Sequence, residues 1–204
     1  MTPALFVAGA AALVYLPLAP RPPGWVRSVV KTFSVAVLAL AAPGLLAVAL
    51  ALCALGDWLL SRPGERAFMG GVGAFAAGHL AYVAFFLAHP VSDPTRLAGP
   101  LQLAVLALLA LIGLAAAALL WRHAGALRGA VLAYVPVILS MGLAALTLPP
   151  ALALLPALAF IASDLILACE KFLMPPAHPA HRWTPYAVWL LYWGAQAGFF
   201  TAFS

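Results

Sequence analysis

The sequence predicts an all-α fold: an integral membrane bundle of eight transmembrane helices with both termini on the non-cytoplasmic side. Three observations predict it. Hydrophobic residues make up 66% of the 204 residues and charged residues only 7%, against about 25% charged in a soluble domain. Apolar runs recur that are long enough to cross a bilayer at roughly 20 residues per crossing. The basic residues fall almost entirely in alternate loops, the pattern expected of a polytopic chain.

The first span, 3–19, is preceded by no basic n-region, because the first twenty residues contain no Lys or Arg. It is expected to be a retained helix and not a cleaved signal peptide. The loop APRPPGWVRS leads to a short second span, 29–42, which Pro43-Gly44 stops and restarts as the third, 44–61. SRPGER separates that from the fourth, 67–88, and HPVSDPTR separates the fourth from the fifth, 98–121. WRHAGALR precedes the sixth, 129–148. Pro149-Pro150 then opens the seventh, 151–173, and MPPAHPAHRW leads to the eighth, 185–203. No stretch is long or polar enough for a separate soluble unit, so residues 1–204 are expected to form a single transmembrane domain.

With eight spans, the first, third, fifth and seventh loops share one side. They hold Arg21, Arg27, Arg62, Arg66, Arg122, Arg128 and Arg182, and Lys31 and Lys171 stand at helix ends on that side. Only Arg96 lies opposite. Positive residues concentrate on the cytoplasmic side, which sets the orientation. The net charge of +5 is spread over short loops without aromatic interleaving. It therefore fits topology and lipid headgroups as partners, not nucleic acid. Cys53 and Cys169 both lie within spans and form no disulfide framework. Brevity and an alanine-rich composition point to a bacterial inner membrane.

The most informative residues are Asp57, in LALCALGDWLL, and Asp164, in LAFIASDLILACEKF. The chain has five acidic residues, and an ionisable group at membrane depth is costly unless paired or hydrated, so its default reading is functional. At 1.5 Å per residue, Asp57 lies ~6 Å and Asp164 ~13 Å from the cytoplasmic ends of their spans. Asp164 is therefore expected to be the deeper and less hydrated of the two. Lys31 enters its span from the same side. It is either a snorkelling lysine or a partner for a carboxylate or a phosphate. Lys171 follows Asp164 by seven residues on the same helix face, placed to tune that acid or meet a headgroup. On the fourth span Gly71, Phe75, Gly78, His79 and Tyr82 share a face. That face is either a close-packing surface or the wall of a polar cavity lined by His79 and Tyr82. Tyr134, Tyr192 and Gln196 are candidates for interhelical hydrogen bonds. His178 and His181 form an H-x-x-H in a proline-rich loop that lacks the further ligands and helical frame of a zinc site, so no metal site is expected.

Several of these segments together resemble the YhhN-like lysoplasmalogenase family of polytopic membrane enzymes. The matching pieces are Lys31-Thr32, GDWLL (56–60), FMGGVGAFAAGHLAY (68–82), AYVPVILSM (133–141), FIASDLILACEKF (160–172) and YWGAQ (192–196). They occur in the family's order and span nearly the whole chain. Thr32 stands where many relatives have Pro, and Pro156-Ala157 and Ala159-Phe160 depart from the usual seventh span. Both departures bear on packing more than on the aspartates. The resemblance implies hydrolysis of the vinyl-ether bond of a lysophospholipid substrate, giving a fatty aldehyde and glycerophosphocholine or glycerophosphoethanolamine, with no added cofactor.

Vinyl-ether hydrolysis needs a positioned acid to protonate the alkene carbon and a nearby negative charge for the resulting oxocarbenium ion. Glycosidases meet a related demand with two carboxyls. The expected assignment makes Asp164 the proton donor and Asp57 the stabilising carboxylate, with the reverse open. His79 and Tyr82 would position water or the carboxyls, and Lys31 would meet the phosphate. Two other readings fit the same residues. One is a small proton-coupled transporter, which also uses intramembrane acids with His and Tyr. The other is a non-enzymatic lipid-binding protein in which Asp57 pairs with Lys31 purely for packing. Oligomeric state leaves no mark in the sequence.

Overall fold

Prolines and glycines set the helix ends of the computed structural model, which describes residues 2–204. Eight α-helices result: α1 (Pro3–Tyr15), α2 (Trp25–Ala41), α3 (Gly44–Leu60), α4 (Glu65–Ala88), α5 (Pro100–His123), α6 (Arg128–Ala145), α7 (Pro150–Phe172) and α8 (Thr184–Phe203). Among the described residues there is no strand. Proline stands in the first turn of α1, α5, α7 and α8, where its missing N–H has no intrahelical partner to lose. The Thr2 hydroxyl accepts a hydrogen bond from the Leu5 N–H as the cap of α1. Gly44 and Gly64 turn the chain into α3 and α4 at φ of +49° and +98°, a region that side chains other than glycine avoid.

By length and hydropathy four helices can cross a membrane: α4, α5, α6 with the turn before it, and α7. The apolar segments around α1 and α3 are shorter. The expected starts and ends hold to within three residues except at the end of α1, which stops at Tyr15, four residues short, and runs on as a 3-10 turn over Leu16–Leu18, and at the start of α2. That helix begins at Trp25, four residues before the predicted limit, and so takes Arg27 into its first turn. Pro136 and Pro156 lie inside α6 and α7 without ending them, as membrane helices allow.

Large apolar side chains face outward around the bundle, including Leu40, Leu155 and Leu114, which are 89%, 77% and 70% exposed. Contiguous apolar surface of this kind marks contact with lipid, and the chain is a membrane protein. Polar groups point the other way: Asp57, His79, Gln196, Ser34 and Ser163 are all buried.

Helices α3 and α4 pack antiparallel. Along α3 and α4, Gly56 meets Phe75, Leu60 meets Gly71, and Cys53 meets Gly78. The three glycines let these backbones approach closely. A Cβ at Gly78 would stand 2.9 Å from Cys53 Sγ and 3.3 Å from the Ala49 carbonyl oxygen. Gly78→Val is therefore expected to destabilise the bundle by about 1–3 kcal/mol, read as an earlier unfolding transition in detergent. A variant that melts with the wild type would show that the α3–α4 seam has room. Gly198 gives α8 a similar approach to Pro156 of α7. At the far end, Ser92 Oγ lies 2.8 Å from Thr147 Oγ1 and the Asp93 N–H donates to the Thr147 carbonyl, tying the α4–α5 loop to the end of α6.

Candidate active site

One end of the bundle collects the C-terminal ends of α3 and α7 and the N-terminal ends of α2, α4, α6 and α8. They enclose a cavity of about 520 Å³, and both Asp57 and Asp164 line it. The two acids, 107 positions apart in the sequence, thus converge on one space from different helices.

Asp57 has no exposed surface. Its Oδ1 lies 2.9 Å from Lys31 Nζ, and its Oδ2 accepts a 2.7 Å hydrogen bond from the Tyr192 hydroxyl. The Lys31 contact is an ion pair by distance and lacks the angle of an aligned hydrogen bond. Lys31 reaches Asp57 from α2, with its side chain 17% exposed and its ammonium 5.7 Å from the Tyr192 ring centre. Three helices, α2, α3 and α8, therefore hold this carboxylate in place.

Asp164 is held differently. The Tyr134 hydroxyl of α6 donates to its Oδ2 at 2.6 Å. Ser163 Oγ donates to the Phe160 carbonyl at 2.9 Å and stands 3.5 Å from Oδ1, at the limit of a hydrogen bond, and Asp164 lines the cavity. Among the described residues no basic group lies within ion-pair distance of Asp164. Asp164 is half-buried whereas Asp57 is fully enclosed. This corrects the expectation that Asp164 is the less hydrated acid. Helix depth misled because Lys31 and Tyr192 cover Asp57, while Asp164 keeps exposed surface beside the cavity it lines.

His79 and Tyr82 do not line this cavity. His79 is buried, its Nδ1 lies 2.7 Å from the Phe75 carbonyl, and its ring stacks edge-on against Phe160. That distance places the proton on Nδ1, donated to the carbonyl. The Tyr134 hydroxyl, 3.4 Å away, thus keeps its own proton for Asp164. Tyr82 donates to Gln196 Oε1 and packs between Phe86 and Phe199. Of the face Gly71–Tyr82 only Phe75 reaches the cavity; the rest is a close-packing surface, with Tyr82 and Gln196 acting as glue between α4 and α8.

Basic residues surround the cavity: Arg21, Arg27 and Lys171 line it together with Lys31. Lys171 Nζ also sits 5.0 Å from the centre of the Phe68 ring. Arg27 Nη2 donates to the Ala19 carbonyl at 3.3 Å. Because Lys31 is committed to Asp57, the other cations lining the cavity, Arg21, Arg27 and Lys171, are the ones placed to meet an anion in it. In the sequence Arg21 and Arg27 carry only a topology signal. The spacing of Arg27 and Lys31, four residues apart on one helix face, was the available clue. His181 Nδ1 lies 3.7 Å from Glu170 Oε1, so the loop histidine belongs to the rim of the same cavity. Among the described residues no cluster of three or more His, Cys, Asp or Glu side chains could hold a metal.

The model of the YhhN family matches residues 26–203. Among curated proteins and among solved structures, none matches the chain.

Proposed function

The chain belongs to the YhhN family, which is the lysoplasmalogenase family, and from that premise we propose that it hydrolyses the vinyl-ether bond of lysoplasmalogens. The observation that carries the proposal is the pairing of two unlike carboxyls in one cavity: Asp57 tied to a lysine, Asp164 held by a tyrosine with no counterion. An ion pair favours the charged form of Asp57, whereas Asp164 has no counterion to hold it ionised and can keep a proton. Unlike environments of this kind divide acid from base in other carboxylate enzymes.

The proton on Asp164 passes to the alkene carbon remote from oxygen, and the adjacent carbon becomes an oxocarbenium ion. The Asp57 carboxylate stabilises that cation. Water adds to the cationic carbon and gives its proton to the Asp164 carboxylate, leaving a hemiacetal. The hemiacetal hydroxyl proton moves to the ether oxygen, the carbon–oxygen bond breaks, and fatty aldehyde and glycerophospho-alcohol leave. Arg21, Arg27 and Lys171 offer the phosphate its counter-charge at the cavity rim.

The same reading proposes eight crossings with both termini non-cytoplasmic. It follows from the collection of nine of the ten basic residues, all but Arg96, around the cavity's end of the bundle. Substrate would then reach the acids from the cytoplasmic leaflet.

The test is aldehyde release by purified protein from a synthetic lysoplasmalogen, with the saturated ether lysolipid as control. Aldehyde from the first and none from the second supports the hydrolase. Uptake of substrate into protein-containing vesicles without product would replace it with a carrier.

A further inference from the structure

A second, smaller space of about 50 Å³ opens between α5, α6 and α7. Its only polar side chains are Tyr134 and Asp164, and the rest of its wall is aliphatic or glycine, with Ile112, Ala116, Leu139 and Leu165 among it. Four residues line both this slot and the large cavity: Val131, Tyr134, Asp164 and Ala168. The two spaces therefore meet at the Asp164–Tyr134 pair. On one side lie Arg21, Arg27 and Lys171; on the other, hydrocarbon walls.

A lysophospholipid has the same division along its length. Its phosphate needs cations and its chain needs an apolar wall. The bond proposed for cleavage is the junction between glycerol and chain. An acid that serves this junction has to stand where the polar space gives way to the apolar one, which is where Asp164 stands. Asp57 lines the large cavity only, so the two carboxyls are not equivalent with respect to the chain. Helix α5 makes the slot possible because it packs mainly on α6 and only lightly on α7, and its outer face, with Leu111 and Leu114 exposed, borders lipid.

We propose that the α5–α6–α7 slot is the binding site for the hydrocarbon chain of the substrate. The chain threads past Asp164 from the cavity into the slot and runs on beside α5 into the membrane. This rests on the lysophospholipid-hydrolase reading and adds the direction in which the substrate lies.

Two measurements test it. In the first, Ala116→Phe narrows the slot without touching either aspartate or the cationic rim. The variant is expected to lose at least about tenfold in kcat/KM on a long-chain lysoplasmalogen, the size of effect typical of a crowded apolar pocket. It should keep near-wild-type kcat/KM on a very short-chain analogue. Equal loss on both substrates, or loss on neither, overturns the slot. The second uses the unmodified protein and needs no turnover: a lysophospholipid carrying a photoreactive diazirine in the proximal part of its chain. Labelling of Ile112, Ala116, Leu139 or Leu165 supports the slot. Labelling confined to α1, α2 and α8, or to the outer face of α5, overturns it, as does no labelling. Wild-type protein that releases no aldehyde at any chain length would defeat the hydrolase reading, while the photolabel still decides whether a chain lies there.

Discussion

Replacing Asp164 by Asn is expected to lower aldehyde release by about 10²–10⁴-fold, the usual contribution of a positioned general acid, and to leave the fold intact. The two halves of this expectation have separate causes. Asparagine keeps the shape of the side chain, and its amide oxygen can still accept the Tyr134 hydroxyl that now donates to Asp164 Oδ2 at 2.6 Å. No counter-ion is stranded, because no basic group pairs with Asp164 among the described residues. What disappears is an ionisable proton on a side chain that lines the cavity. The check is a pair of measurements on one preparation: turnover of lysoplasmalogen and the thermal unfolding midpoint in detergent. Turnover close to wild type in the folded variant would remove Asp164 from the chemistry. Loss of both turnover and stability would give it a structural role instead.

Asp57 and Asp164 were legible in the sequence because a carboxyl among leucines is expensive at membrane depth. That argument needs no knowledge of neighbours. The partners were harder to read, because each comes from a helix whose place in the bundle the sequence does not fix. Tyr134 and Tyr192 could be named only as hydrogen-bonding candidates. They become the ligands of Asp164 and Asp57 because α6 packs beside α7 and α8 lies across α2 and α3. The same gap explains His79 and Tyr82. Their shared helix face was evident from spacing, but its meaning depended on what it meets. At His79 and Tyr82 it meets Phe160, Gln196 and Phe199, so these two pack instead of lining the cavity. The early start of α2 has a local cause. Arg27 looks like loop in a hydropathy reading, yet it sits four residues from Lys31 and continues the same basic edge toward the cavity.

The second large effect concerns Lys31, and it separates the enzyme from a merely packed ion pair. Lys31→Met leaves a buried carboxylate without its cation. Breaking a buried pair from one side costs about 3–5 kcal/mol, so the variant is expected to unfold well before the wild type. The reciprocal change, Asp57→Asn, is expected to cost less, because Lys31 is 17% exposed at the cavity and its ammonium can turn toward water, an escape that the fully enclosed Asp57 lacks. Joining the two, Lys31→Met with Asp57→Asn, removes both charges and is expected to recover most of the stability lost in Lys31→Met. The Tyr192 hydroxyl can still donate to the new amide oxygen. Turnover should not return with stability. Without the Asp57 carboxylate the oxocarbenium ion loses its counter-charge, a deficit of about 10²–10³-fold by comparison with other fixed electrostatic groups. A double variant as stable as the wild type and equally active would mean that Asp57 serves only to pair Lys31. A stable but inactive double variant assigns its charge to the reaction.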